Sequence, residues 1–441
     1  MMPAPCGAPV FCVTRMNRSS DSTHRSPPSP ILTDGSNEFA HYTVRNRLPA
    51  ILDEVITGDT GLPRPRIDAV RRLRDALISN SPLALFPAPA PDRDWWRPRF
   101  EAHERRVEAV TGARPRPLNA EWFFLEHYLY RLLIAATDWW ANGLDPFAPA
   151  KARELSGEAL WSTLGNTLEE AARTDPVPDE PPPALAALVS FALWGNRTDL
   201  SYGAVAELGH EETDEAALLV NDLAPAWRLL SARRGGAVHI VCDNAATELA
   251  ADLALADYLI SELDRRVVLH VKLHPTFVSD ATPGDVRDLV SRMHVCRSAA
   301  GAPRIRGLAV RLDTEIADGR LRIVPDQYWN GPDFFHALPP RLAEAFADAA
   351  LVVLKGDMVY RRLLSDSVPA ATAPLWEVAP AVPAPVLMLR TMKGDPVAGL
   401  PPALVDALDT EDPQWRVNGR RGLIQLLPAD GALPSSLPKQ P

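Results

Sequence analysis

Four short apolar runs, rich in valine and spaced by helix-like segments, constrain this chain more than any other feature. They are residues 237–242 (AVHIVC), 266–272 (RVVLHVK), 351–354 (LVVL) and 385–389 (PVLML). Runs this short and this apolar read as buried strands. Residues 247–263, between the first two, carry the pattern of an amphipathic helix, and 285–293 carry another helix. Strands alternating with helices predict an α/β fold, a parallel-type Rossmannoid sheet flanked by helices, over residues 236–428.

Upstream the pattern changes. Residues 39–235 read as a mainly helical subdomain, with helical spacing at 71–78 (RRLRDALI), 121–134 (EWFFLEHYLYRLLI) and 185–194 (LAALVSFALW). The second of these is apolar on most sides, which predicts a buried helix. Residues 1–38, rich in Ser, Pro and Thr, and residues 429–441 predict disordered tails.

Charge narrows the partners. The chain has 46 Lys and Arg against 56 Asp and Glu, a net charge of −10. That balance argues against nucleic acid and against an anionic membrane surface. An anionic substrate would then need positive potential made inside the site, and a divalent cation supplies it. The four cysteines, Cys6, Cys12, Cys242 and Cys296, form neither a CxxC pair nor a zinc spacing, so a reducing compartment is expected. No signal-peptide pattern opens the chain. The apolar stretch 368–389 is interrupted by five prolines, which rules it out as a spanning helix. The expected location is cytoplasmic; oligomeric state is not legible.

The polar residues at the strand ends are the candidates for chemistry. Asp243 and Asn244 follow the first strand directly, where open α/β sheets hold their ligands. A carboxylate beside an amide carbonyl offers hard oxygen donors to a divalent metal. The same pair also suits the N-cap of the helix that follows. Asp280 lies 37 residues on, at the end of the next strand unit, and is either a second metal ligand or a cap of its own helix. Glu248 stands in the first turns of the helix, placed either to orient substrate or to favour the helix N-terminus. Gly356 and Asp357, after the third strand, form a turn whose N–H groups suit an anion. Arg390 and Lys393, after the fourth, match phosphate charge. Either turn also reads as solvated surface. Two rival chemistries lack their parts. Residue 245 is Ala, where an aspartyl-phosphate route needs an acid two positions after its nucleophile. No glycine follows the first strand, as a nucleotide-binding methyltransferase turn would require.

In these residues the sequence resembles the damage-control phosphatase family, in particular the subgroup also named acidic-residue or protein-glutamate O-methyltransferase. The resemblance runs over roughly residues 40–428. It is carried by Arg47-Leu-Pro-Ala-Ile-Leu, Glu126-His-Tyr-Leu-Tyr-Arg131, Asp145-Pro-Phe and Leu193-Trp-Gly-Asn-Arg-Thr-Asp-Leu-Ser. Downstream it is carried by Asp243-Asn, Phe277-Val-Ser-Asp-Ala-Thr, Lys355-Gly-Asp and Arg390-Thr-Met-Lys. It implies metal ligation by Asp243, Asn244 and Asp280, and substrate contacts from Glu248, from the turn Gly356, Asp357, Met358, Val359 and Tyr360, and from Lys393. It implies a Mn-, Co- or Ni-dependent phosphatase of sugar phosphates and damaged phosphometabolites. The hard oxygen donors admit Mg as well, and the residues themselves suggest attack by a metal-activated water, with Asp243, Asp280 and Asp357 at the chemistry. The alternatives are carboxyl methyl transfer from S-adenosylmethionine and a non-catalytic sugar-phosphate-binding protein. Two positions depart from the family pattern: Ala246 stands where it has glycine, and Val359 where it has asparagine, and the second bears on substrate choice.

Overall fold

The structure, a computed structural model of the chain, describes residues 30–172, 180–195, 217–233, 235–297 and 301–429. Its first half is helical: α1 (Glu38–Tyr42) runs through a π-helical turn (Thr43–Arg47) into α2 (Leu48–Thr57), followed by α3 (Arg64–Ile78), α4 (Arg93–Thr111), α5 (Trp122–Thr137), the single turn α6 (Trp139–Asn142), α7 (Ala148–Leu155), α8 (Glu158–Ala171) and α9 (Pro183–Trp194). The second half interleaves strands and helices. It runs β1 (Leu218–Asn221), α10 (Leu223–Ala232), β2 (Val238–Val241), α11 (Thr247–Ser261), β3 (Val267–Lys272), α12 (Pro283–Val295), α13 (Ala302–Ala317) and β4 (Leu321–Asp326). It closes with α14 (Pro340–Ala347), β5 (Leu351–Lys355), α15 (Asp357–Leu363), α16 (Leu375–Val378), β6 (Val386–Thr391), α17 (Pro402–Glu411) and β7 (Gly422–Leu427).

The seven strands among the described residues form one sheet in the order β1-β7-β6-β5-β2-β3-β4. Strands β2 to β6 are mutually parallel, as the alternation predicts, and β7 runs antiparallel to β6. Their side chains divide by parity. Val238 and Ile240, with Leu351 and Val353, pack into one apolar cluster with α8, α9, α11 and α13. Val241, with Val352 and Leu354, packs into another with α14 and α15. The chain leaves β2 for β3 on one side and returns to β5 on the other. The order therefore reverses between β2 and β5, and a crevice opens beyond their carboxyl ends.

Three expectations change. Helix α11 is not amphipathic. It is buried on nearly all sides, because α8, α9 and α13 form a further layer over it, and its acids are paired, Asp257 with Arg311 at 2.7 Å and Asp252 with the buried Lys355 at 2.5 Å. The N-terminal segment is packed from residue 31, not from 39. Ile31 joins Ala40 and Trp122 in a small apolar cluster, and the Thr33 hydroxyl donates to the Pro117 carbonyl at 2.8 Å. Residues 235 and 236 do not divide two bodies, since β1 extends the sheet and α8 and α9 share its core. The rest of the expected tails, 1–29 and 430–441, lies outside the described residues, as does the Asn196–Ser201 part of the LWGNRTDLS motif.

Candidate active site

Asp243 and Asn244 emerge from β2, and neither caps α11; that helix begins at Thr247, with Ala246 at its N-cap position. Asp280 is not a cap either. Helix α12 is closed by a capping box in which the Thr282 hydroxyl accepts from Asp285 N–H and the Asp285 carboxylate accepts from Thr282 N–H. The bland alternatives for all three residues therefore fail.

What holds these residues is each other. Asn244 and Asp280 form an isolated antiparallel bridge. Flanking it, Ala281 N–H donates to the Asp243 carbonyl at 2.8 Å and Ala245 N–H to the Ser279 carbonyl at 2.6 Å. The loop after β3 is thus pinned to the loop after β2, and two carboxylates and one amide meet at the crevice. The bend that brings Asp280 round carries two residues with left-handed backbone, Phe277 and Val278.

A cleft opens over this corner. Asp243, Asn244, Phe277, Asp280 and Lys393 line it from loops at the strand ends, Asp357, Met358 and Arg361 from α15, and Arg47, Trp122, Glu126 and Tyr130 from the helical half. Five of the polar residues expected at the strand ends thus share one cavity.

The others stand behind it. Glu248 is buried beneath Asn244, whose Nδ2 donates to Glu248 Oε1 at 2.5 Å. Val359 is packed in the apolar core and does not line the cleft, so its departure from asparagine removes no group from the cavity wall. Tyr360 is buried, with Arg390 stacked over its ring at 4.3 Å. Arg390 is fully committed: it donates to Asp357 Oδ1 from Nε at 2.8 Å and from Nη2 at 2.6 Å, and to the Gly394 carbonyl at 2.7 Å. Arg390, expected beside a phosphate, does not line the cleft, whereas Lys393 does. Lys355 also points inward, away from the cleft, with its ammonium 3.4 Å from Glu248 and 2.5 Å from Asp252.

Electrostatics follow from burial. Desolvation pushes the Glu248 carboxyl up, to about 7, against the pull of Lys355 and the bond from Asn244. Desolvation also raises Asp252, again against Lys355. Burial opposes the charge on Lys355, but Asp252 and Glu248 together hold its ammonium above the usual lysine range. Asp280 is matched by Lys272, with Nζ 2.8 Å from Oδ2.

Arg361 and Glu126 were not among the candidates. Arg361 donates to Glu126 at 2.9 Å and to Asp366 at 2.7 Å, and lies 3.7 Å over the Trp122 ring. Its signal was present, since Arg361 follows Asp357 by four residues on α15 and so shares its face. Glu126, on α5, opens one of the motifs that carry the family resemblance, and that was its one signal.

The donor set fits a hard divalent cation: two carboxylates and an amide oxygen at one corner. Among the described residues no three His, Cys, Asp or Glu side chains gather as a metal cage, so the third oxygen here would be that of an amide. No described helix is long and apolar enough to cross a membrane.

Residues 43–408 match the family model described as the damage-control phosphatase ARMT1-like domain. Among curated proteins, the chain is 28% identical to damage-control phosphatase ARMT1 of Rattus norvegicus, over 92% of this chain and 99% of that one. It is 27% identical to the protein of the same name from Danio rerio, over 90% and 97%. Among solved structures, a DUF89 family protein from Pyrococcus horikoshii aligns with a TM-score of 0.44 and 14% identity, over 88% of this chain and 98% of that one.

Proposed function

We propose, because this chain belongs to the damage-control phosphatase ARMT1-like domain family, that it hydrolyses small phosphorylated metabolites, sugar phosphates among them, at the cleft over the carboxyl ends of β2 and β5. The observation that carries the proposal is the bridge between Asn244 and Asp280 beside Asp243, which gathers three hard oxygen donors in the same cavity as Lys393.

In this reading Asp243, Asn244 and Asp280 hold a divalent cation, Mn, Co, Ni or Mg. When bound, the cation supplies a Lewis acid that offsets phosphate charge and acidifies a water. The protein does the rest. Lys393, buried in the cleft wall, is the point charge for the phosphoryl oxygens. Asp357, locked by Arg390, is placed to orient a water or a substrate hydroxyl. Trp122, Phe277 and Tyr130 supply an apolar wall that keeps bulk water from the reacting groups. Against a net charge of −10, the cleft draws an anionic substrate through the bound cation and the cationic side chains that line it, Lys393 among them; that net charge supports neither a nucleic-acid nor a membrane partner.

The test is phosphate release from a panel of phosphomonoesters by metal-stripped protein, with each cation added back. Lys393→Ala should lower kcat/KM by about 10²-fold or more while metal content stays intact, because its partner is the phosphate. Wild-type kinetics in Lys393→Ala would return that turn to ordinary surface.

A further inference from the structure

The Asn244 side chain can serve a cation only from its oxygen, and turning the amide over would present NH₂ instead. Two groups bond to that amide. Ser279 donates its hydroxyl to Asn244 Oδ1 at 2.6 Å. A hydroxyl accepts as readily as it donates, so Ser279 would tolerate either orientation. Glu248 would not. Ionised beside Lys355, its carboxylate accepts from Asn244 Nδ2 at 2.5 Å and in that state could only repel the amide oxygen. Glu248 in turn is held from behind by Lys355, 3.4 Å away, which stands on β5 directly before Gly356. Glu248 and Lys355 are both buried, and neither lines the cleft.

We propose that Glu248, backed by Lys355, is a positioning residue that fixes the amide of Asn244 with its oxygen toward the cation site. This rests on the reading of Asp243, Asn244 and Asp280 as cation ligands, and it assigns Glu248 no contact with substrate. The lysine matters because it decides what a neutral replacement would do. In Glu248→Gln the ammonium claims the new carbonyl, the new NH₂ faces Asn244, and Asn244 must then turn its oxygen away from the cation. In Lys355→Met that demand is gone and the hold on Glu248 is looser.

The experiment is titration of metal-stripped protein with Mn²⁺, read by calorimetry, with melting temperature recorded for every variant. Glu248→Gln should weaken Mn²⁺ binding by about 10- to 100-fold, and Lys355→Met by less. The discriminating variant is Asn244→Asp, which offers oxygen at both ends and needs no orienting. In an Asn244→Asp background, adding Glu248→Gln should leave Mn²⁺ affinity within about threefold, so the loss depends on an amide being there to turn. Equal losses in both backgrounds would overturn the proposal and leave Glu248 with a general structural role. So would an unchanged Mn²⁺ affinity in folded Glu248→Gln while Asp243→Ala loses the metal; in that case the cation site itself would stand. A wild-type protein that binds no Mn²⁺, Co²⁺, Ni²⁺ or Mg²⁺ would overturn both this proposal and the reading beneath it.

Discussion

Gly356 and Asp243 meet across the crevice between β5 and β2 so closely that a Cβ on residue 356 would overlap the Asp243 carboxylate. Gly356 also has φ +86, a backbone conformation that favours glycine. Its absent side chain is therefore what lets the Asp243 carboxylate lie against the turn leading into α15. Gly356→Ala should displace Asp243 and add backbone strain of about 1–3 kcal/mol. The expected outcome is a folded protein with a lower melting temperature and at least tenfold weaker Mn²⁺ binding by calorimetry. Unaltered Mn²⁺ affinity would mean that Asp243 does not depend on this contact.

Ala246 presents the opposite case. It has φ +56 and ψ −115 at the start of α11, where the family pattern has glycine, and it is buried. Strain of this kind costs about 1–3 kcal/mol, more than the entropy a glycine would add. Ala246→Gly should raise stability by about 1 kcal/mol, seen by calorimetry as a melting temperature higher by about 2 °C. A lower melting temperature would show that the alanine methyl contributes more packing than its backbone loses.

The N-terminal segment can be tested by where it is cut. A chain starting at residue 30 keeps Ile31 and Thr33, with Trp122 N–H donating to the Ile31 carbonyl at 2.9 Å. A chain starting at residue 38 loses them, along with the Asn37 cap of α1. The shorter chain should be less stable by about 2–4 kcal/mol, from one buried aliphatic side chain and one helix cap. Equal denaturation midpoints for the two would show that the segment does not dock.

Acid stability should fall through a stacked pair of histidines on β2 and β3. His239 and His270 are 2.9 Å apart between ring nitrogens and are buried against Phe346. Burial, then Arg322, lowers His239 to about 4. Burial, then His239, lowers His270 to about 3. Both stay neutral in the folded protein at pH values where the unfolded chain, near the ordinary histidine value of about 6.5, takes up protons. Stability is thus complete above about pH 6.5 and is lost as pH falls from there toward the folded values. Each imidazole should add about 1.4 kcal/mol per pH unit to the slope of unfolding free energy across pH 6 to 5. Replacing both by phenylalanine should reduce that slope accordingly in urea titrations. An unchanged slope would show that other groups carry the acid sensitivity.

Much of this arrangement could be seen in the sequence, and the reasons for the rest are physical. The central strands β2, β3, β5 and β6 were legible because burial on both faces leaves uninterrupted apolar runs. Strand β4, with Arg322, Pro325 and Asp326 in six residues, and the four-residue β1 lie at the sheet edges and carry no such run. The polar strand ends pointed to Asp243, Asn244, Asp280, Asp357 and Lys393, which line one cavity. Sequence could not separate Lys393 from Arg390. The two stand three residues apart, and only the contacts of Asp357 decide which cation turns inward. Nor could it place Glu126 on the far wall, because that depends on where α5 packs against α15, a contact spanning more than half of the chain.

The measurement that bears most directly on the account is paired, on one preparation with and without Mn²⁺. Phosphate release from sugar phosphates is assayed beside methyl incorporation from S-adenosylmethionine into acidic protein. Cation-dependent phosphate release, abolished by chelation and by Asp243→Ala or Asp280→Ala, with no methyl transfer, is the predicted result. Metal-independent methyl incorporation with no phosphate released from any substrate would contradict it.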